Sequence, residues 1–261
     1  MRLLTSRSRQ YYHREQEMNT SIIYETHGKA KEYCELAATL YRGCSHCCTY
    51  CYAPAAIRVS REEFCKPRVR PDVLSKFEKD ATGLEKIGEK RTILLSFTTD
   101  PYQPLDEKEQ LTRKAIQILH NHNLKVSILT KGGKRSERDF DILSSRPELS
   151  EYGSTLVFTE EKCRLEIEKG AARTEERIES IKKAHDLGIF TYVSLEPVWI
   201  PEQSLKLIDL TRDFVDFYKI GKLNYDPHES NIDWWKFKKE LIDKLDGYKK
   251  NYYLKKSLQS Y

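Results

Sequence analysis

The sequence contains no apolar run approaching the ~20 residues that a membrane-spanning helix requires. Its opening stretch, "MRLLTSRSRQYYHREQEMN", lacks the apolar segment of a secretory signal, so a cytoplasmic protein is expected. There is no internal repeat, and no low-complexity linker divides the chain. Charge of one sign is also scarce. Lys and Arg number 45 against 40 Asp and Glu, and the net charge of +5 permits an anionic partner without demanding one. With 261 residues, 39% hydrophobic and 33% charged, the chain can bury one large core.

Cysteine is present but unpaired in pattern. Seven cysteines is an odd number, and their spacing is not that of a secreted disulfide framework. A second CxxC pair well separated in sequence from the first, the usual mark of a zinc ribbon, is missing. What the chain has instead is "YRGCSHCCTYCYAP", which sets Cys44, Cys47, Cys48 and Cys51 within eight residues and fences them with aromatics. Free cysteine often serves as a small buried hydrophobe, but a loop that also carries Ser45 and His46 is poor core material. Three thiolates on one short loop can each hold one iron of a cubane cluster, leaving the fourth iron open. An open coordination position turns a structural metal site into a reactive one. Spacing alone leaves Cys44, Cys47 and Cys51 available as another ligand set. It also leaves zinc available, with His46 or Cys65 as a fourth donor.

Around this loop the periodicity alternates between strand and helix. Strands are expected over Glu35 to Gly43, in "RTILLSFTT", "KVSILTKGG", "GSTLVFTE" and "IFTYVSLEP", and in "FVDFYKIGK". Helices are expected over Asp72 to Gly83, Glu107 to Asn121, Ser136 to Ser144, Thr174 to Leu187, Pro201 to Thr211 and Asn231 to Leu245. About six β–α units imply a parallel α/β sheet with right-handed crossovers. In such sheets chemistry gathers at the C-terminal ends of the strands, where the cysteine loop lies. The expected division is a polar arm over 1–20, a core over 21–246, and a basic aromatic tail over 247–261.

The spacing of Cys44, Cys48 and Cys51, with Tyr50 just before the third cysteine, resembles the signature of radical S-adenosylmethionine enzymes. Further blocks, "LLSFTTDPYQP", "ILTKGGKRSERDFDIL", "EKGAARTEERIESIKKAHDLGIFTYVSLEPV" and "FYKIGKLNY", resemble the group that includes spore photoproduct lyase. The resemblance implies a partial (β/α)6 TIM-like barrel. It also implies a [4Fe–4S] cluster on Cys44, Cys48 and Cys51, with Cys47 a bystander, and S-adenosylmethionine chelated at the open iron. Reductive cleavage to a 5′-deoxyadenosyl radical and hydrogen abstraction from a substrate would follow, with reduced flavodoxin or ferredoxin as electron donor.

The same resemblance directs attention to the strand ends. Thr98, Thr99 and Asp100 offer hydroxyls and a carboxylate to the methionine ammonium, Asp100 foremost, although an Asp-Pro turn explains them equally. Lys131 suits the methionine carboxylate, with glycines beside it that let backbone approach a ligand. Thr159 can bond ribose hydroxyls. Tyr50, Tyr52 and Ala53 flank the cluster and the adenine pocket. Glu196 is expected inside the barrel, where a buried carboxylate needs a partner; Lys219 and Lys222 are the candidates, with Asn224 at the same rim. The block ahead of the helix reads Glu168, Lys169, Gly170 where similar proteins keep Glu-Pro-Gly, and Arg177 is read as a salt-bridging anchor. A nucleic-acid substrate is suggested by the lyase resemblance, by "KRSERDF", and by the basic aromatic tail, whose plainer reading is a solvated end. Against the lyase reaction itself, "TILLSFTTDPYQP" carries no thiol to donate hydrogen, and Cys163 lies after the fourth strand.

Overall fold

The computed structural model describes residues 21–224 and 226–261, so the expected arm over 1–20 lies outside the described residues. Strands β1 (Ile23–Glu25) and β2 (Leu36–Ala38) pair antiparallel, while β3 (Tyr41–Arg42) and β4 (Arg68–Val69) form a separate two-stranded ribbon. From β2 the main sheet continues in parallel through β5 (Ile93–Leu95), β6 (Val126–Thr130), β7 (Ser150–Thr155), β8 (Phe190–Val198), β9 (Phe217–Lys222) and β10 (Asn251–Leu254). The six expected parallel strands are present in chain order, with β1 added on one edge and β10 on the other. Among the described residues no helix is long and apolar enough to cross a membrane.

Side chains alternate between the two faces of each strand. One face carries Leu36, Ile93, Leu95, Val126, Ile128, Tyr152, Val193, Leu195, Tyr218 and Ile220, which join one apolar core. The helices supply the other half of that core. Val73, Phe77 and Ala81 are buried at four-residue intervals on helix Val73–Lys86, and Phe237, Leu241 and Leu245 at the same interval on Trp234–Gly247. The opposite face is polar. Ser127, Tyr192, Ser194, Glu196 and Lys219 share it, with the Ser127 hydroxyl donating to the Tyr192 oxygen at 3.1 Å.

The sheet curls until its edges communicate without a closing ladder. Glu32, in the turn between β1 and β2, accepts from the Tyr253 hydroxyl at 3.2 Å and from the Lys256 amide at 2.7 Å. Its neighbour Tyr33 bonds to Ser194 on β8, and Lys219 of β9 donates to the Tyr33 carbonyl at 2.8 Å. This is the partial TIM-like barrel, with its polar face turned inward.

Several expected elements differ in extent. The helix expected over Glu107–Asn121 is two helices, Pro104–Glu109 and Leu111–Asn121, divided at Gln110, whose φ of 50° is left-handed. The break lets buried Asp106 cap the second helix through the Thr112 amide at 3.1 Å while it pairs with Tyr41 and Arg138. The first expected strand is cut short because Tyr41–Arg42 leave the sheet to pair with Arg68–Val69. The fourth begins earlier, at Ser150, whose register with Val126 no apolar run announces.

The largest correction concerns 247–261. This stretch is not a solvated tail: β10 pairs in parallel with β9, and Leu254, Lys255 and Leu258 are buried. Its alternation of Tyr, Leu and Lys carries too few apolar residues to announce a strand. Leu258→Ala is expected to lower the unfolding free energy by about 2–5 kcal/mol, read by urea denaturation; a change below about 0.5 kcal/mol would mean that the segment does not pack as described.

Candidate functional site

The cysteine loop leaves β3 through Gly43, at φ +82°, where an added Cβ would lie 2.4 Å from the Phe64 carbonyl oxygen. That close approach is used at once: the Cys44 amide donates to the same oxygen at 2.9 Å. The Arg61 guanidinium donates to the carbonyls of Cys48 (2.7 Å) and Cys51 (3.2 Å), fixing the backbone beside two of the thiols. Cys47 is bonded to Cys65, with Cα atoms 5.4 Å apart, inside the usual disulfide range. The four-cysteine loop thus presents three free thiols, Cys44, Cys48 and Cys51, of which the first two are buried.

The sequence pattern announces no such disulfide, and the pairing removes the ligand set built on Cys47. It also takes Cys65 from the zinc alternative. His46, the other candidate fourth donor, is engaged at both nitrogens: Arg135 donates to Nε2 at 3.1 Å, and Nδ1 faces Asp100 at 3.4 Å. Arginine cannot accept, so Nε2 is the bare nitrogen and the proton sits on Nδ1. Among the described residues no three His, Cys, Asp or Glu groups are gathered to hold a single metal ion. Tetrahedral zinc needs such convergence, whereas a cubane takes one thiolate on each of three irons. Burial pushes the Cys44 and Cys48 thiols up, Cys48 to about 12, and the carboxylates of Asp100 beside Cys44 and Glu168 beside Cys48 act in the same sense. Lys131 and Arg177 act on Cys48 in the opposite sense. Ligation must therefore expel protons, as metal binding to thiols does generally.

A second segment clamps this loop. The Thr49 amide donates to the Ile167 carbonyl at 2.9 Å and the Gly170 amide to the His46 carbonyl at 3.0 Å. Only glycine fits at 170, because a Cβ would stand 2.3 Å from the Ser45 carbonyl oxygen. The glycine of the expected block is thus needed here; the proline of similar blocks is replaced by Lys169 without disturbing the contact. The Tyr50 hydroxyl donates to Glu168, and Glu168 meets Arg177 at 2.8 Å with both side chains fully buried. It is a close ion pair without the alignment of a hydrogen bond. Arg177 also donates to the carbonyls of Ala172 (2.8 Å) and Thr155 (3.0 Å), which ties the loop to the end of β7. Burial would raise the Glu168 carboxyl, but Arg177, Lys131 and Tyr50 hold it below its ordinary value. Two buried polar atoms beside the loop, Ser45 Oγ and Arg177 Nη2, have no protein hydrogen-bond partner, which fits a wall that faces a bound group.

The strand-end residues divide into two sets. Asp100 accepts from Thr130 Oγ1 (2.6 Å), the Tyr102 amide (2.9 Å) and the Lys131 amide (2.7 Å), so it lashes the β5 turn to β6. Burial would raise its pKa, but His46, Thr130 and the Lys131 amide hold it well below the usual carboxylate range. Thr99 donates to the Gly43 carbonyl at 2.6 Å, and Gln103 accepts from the Ser45 amide at 3.1 Å. Lys131 Nζ lies 5.6 Å from the centre of the Tyr50 ring. Cys44, Cys48, Cys51, Tyr50, Thr99, Asp100 and Lys131 are thereby one connected assembly, and buried Ala53 starts the helix that follows it.

Thr98 and exposed Tyr52 instead line a cavity of about 520 Å³ together with Tyr24, Thr26, His27 and Phe97. Thr159 is tied through its amide to Gln203 at 2.7 Å. Cys163 sits on helix Glu161–Ile167 with its sulfur 4.0 Å from the Gln203 amide nitrogen. Glu196 faces the inner wall, but neither Lys219 nor Lys222 pairs with it: Lys219 is held by Tyr33, and Lys222 turns to Tyr261 at 2.9 Å. Its partner is Lys255, at 2.9 Å, from the segment misread as a tail. Asn224 donates to the Lys222 carbonyl at 2.7 Å. Arg177 anchors the loop by a salt bridge as expected, with Glu168 as its partner, whereas sequence reading missed the Tyr50 hydroxyl on Glu168 and the support from His46 and Gln103.

The family model of the Radical SAM superfamily matches residues 39–215. An uncharacterised protein of Methanocaldococcus jannaschii is 28% identical over 201 residues, covering 70% of this chain and 68% of that protein. Among solved structures, a spore photoproduct lyase double mutant with bound S-adenosylmethionine and dinucleoside spore photoproduct aligns with a TM-score of 0.65 at 15% identity, covering 88% of this chain and 78% of that one. SuiB of Streptococcus suis bound to S-adenosylmethionine aligns with a TM-score of 0.55 at 14% identity, covering 72% of this chain; the chain spans 44% of SuiB's length. At these identities the structural likenesses speak for the fold.

Arg177→Ala leaves the Glu168 carboxylate buried without its cation, a change expected to cost about 3–5 kcal/mol. Chemical denaturation measures it, and a loss under 1 kcal/mol would show that the pair does not hold the loop.

Proposed function

The chain belongs to the Radical SAM superfamily, whose members use a [4Fe–4S] cluster with S-adenosylmethionine, and from that premise we propose that Cys44, Cys48 and Cys51 each bind one iron. Bound together, cluster and S-adenosylmethionine supply a 5′-deoxyadenosyl radical that takes a hydrogen atom from a substrate. The observation that carries this reading is the set of three free thiols left when Cys47 bonds to Cys65. The rest of the chain's work is positioning. Arg61 fixes the carbonyls beside Cys48 and Cys51, and the ion pair of Glu168 and Arg177 fixes Tyr50.

Lys131, beside Cys48 and Tyr50, suits the methionine carboxylate of S-adenosylmethionine, while Thr98, Thr99 and Asp100 at the end of β5 suit its ammonium. Tyr50, Tyr52 and Ala53 border the adenine, and Thr159 the ribose. Glu196, on the polar inner wall, faces adenosine or substrate. Reduced flavodoxin or ferredoxin is the proposed electron donor. A lyase-type repair or modification of nucleic acid is a second reading, supported by the alignment with spore photoproduct lyase over 88% of this chain. Its weakness is chemical: β5 and the turn after it carry no thiol, and Cys163 is engaged on the helix beside Gln203.

Anaerobic reconstitution with iron and sulfide is expected to give about four irons per chain, and dithionite with S-adenosylmethionine to give 5′-deoxyadenosine. Cys44→Ala, Cys48→Ala and Cys51→Ala each abolish product and most of the iron, whereas Cys47→Ala keeps both. Zinc in place of iron, or equal iron loss in Cys47→Ala and Cys48→Ala, would overturn the assignment.

A further inference from the structure

The ribbon that launches the cysteine loop carries an electrostatic arrangement that the fold does not explain. Arg42 on β3 and Arg68 on β4 are directly opposite each other across the antiparallel pair, and both are exposed. Like charges in that relation destabilise a ribbon. Arg70 follows on the same strand end, donating to the Thr39 carbonyl at 3.1 Å. Burial, and next the charge of Arg42, push Arg70 below the usual arginine range.

The local acids do not cancel this. Residues 41–70 hold six Arg and Lys side chains against two Glu, so four of the chain's five net positive charges lie in this stretch. Glu62 pairs with Lys66 at 2.7 Å, and Glu63 reaches Arg68 only at 3.7 Å. Both pairs are solvent-exposed, a setting in which ion pairs contribute little.

Position indicates what the charge serves. Arg61 is exposed, yet its guanidinium contacts the backbone of two cluster-ligand candidates, Cys48 and Cys51. A partner resting on this face rests against the cluster loop itself. A substrate must reach the polar inner wall of the sheet, where Ser194, Glu196 and Lys219 lie, whereas a reductant needs only the cluster.

We propose that Arg42, Arg68 and Arg70 form the docking face for an acidic one-electron donor protein. This rests on the radical S-adenosylmethionine reading given above and assigns it a surface. The partner arrives carrying one electron, which passes to the oxidised cluster; no bond is made or broken at this face. Clustered positive charge would raise the encounter rate with an acidic partner by about 10-fold or more at low salt.

The test uses full-length reconstituted protein and the double variant Arg42→Glu/Arg68→Glu. Bleaching of the cluster absorbance is followed by stopped flow, with reduced flavodoxin or with dithionite as reductant. The expected result is a steep salt dependence of the flavodoxin rate in the native protein, and in the variant a rate at least about tenfold lower at low salt with little salt dependence. Dithionite reduction and the melting temperature stay unchanged. Equal flavodoxin rates in both proteins would overturn the proposal. So would loss of binding to a fluorescent oligonucleotide with flavodoxin reduction intact, since the face would then serve nucleic acid. Cluster bleaching is read without S-adenosylmethionine. Failure of the native protein to form 5′-deoxyadenosine with dithionite would therefore refute the function reading while leaving the docking result to stand on its own.

Discussion

The site depends on one buried charge pair. Glu168 and Arg177 have no access to water, and the pair stays put because separating it would strand a charge. That rigidity is exported in two directions. Through the Tyr50 hydroxyl it reaches the cysteine loop, and through the Thr155 carbonyl it reaches the end of a sheet strand. A loop of free thiols has no regular hydrogen-bonding pattern of its own, so a fixed spacing between its sulfur atoms has to be imposed from outside.

The sheet separates stability from chemistry by face. The helix-covered face is apolar and unites the molecule in one core, while the inner face carries hydroxyls, a carboxylate and lysines held by hydrogen bonds and ion pairs. Burying apolar residues on one face lets the other tolerate groups that a two-sided core would reject.

How much of this was legible in the sequence follows from how local each signal is. Apolar runs such as that around Ile93 to Leu95 and the period of helix Val73–Lys86 are local, and they gave the parallel α/β order. The cysteine spacing is local as well. The left-handed break at Gln110 is not, because it answers to Asp106 binding Tyr41 and Arg138, two residues far off in the chain. The partner of Glu196 was sought on the neighbouring strand and found on β10, because polar and aromatic strands look like tails until the ladder that holds them is known. Cys47 and Cys65 are eighteen residues apart and approach only through the fold of the loop between them. The polarity of the strand-end residues is local, but nothing local shows that the Asp100 carboxylate also holds a turn by accepting from Thr130 and the amides of Tyr102 and Lys131.

The pairing of Lys255 with Glu196 gives an outer strand authority over the interior. Edge strands are where sheets loosen first, since only one neighbour holds them. Without the β10–β9 ladder, Lys255 would not be held against Glu196 on the inward wall. The charge balance of the inward wall is therefore tied to the docking of the outermost strand.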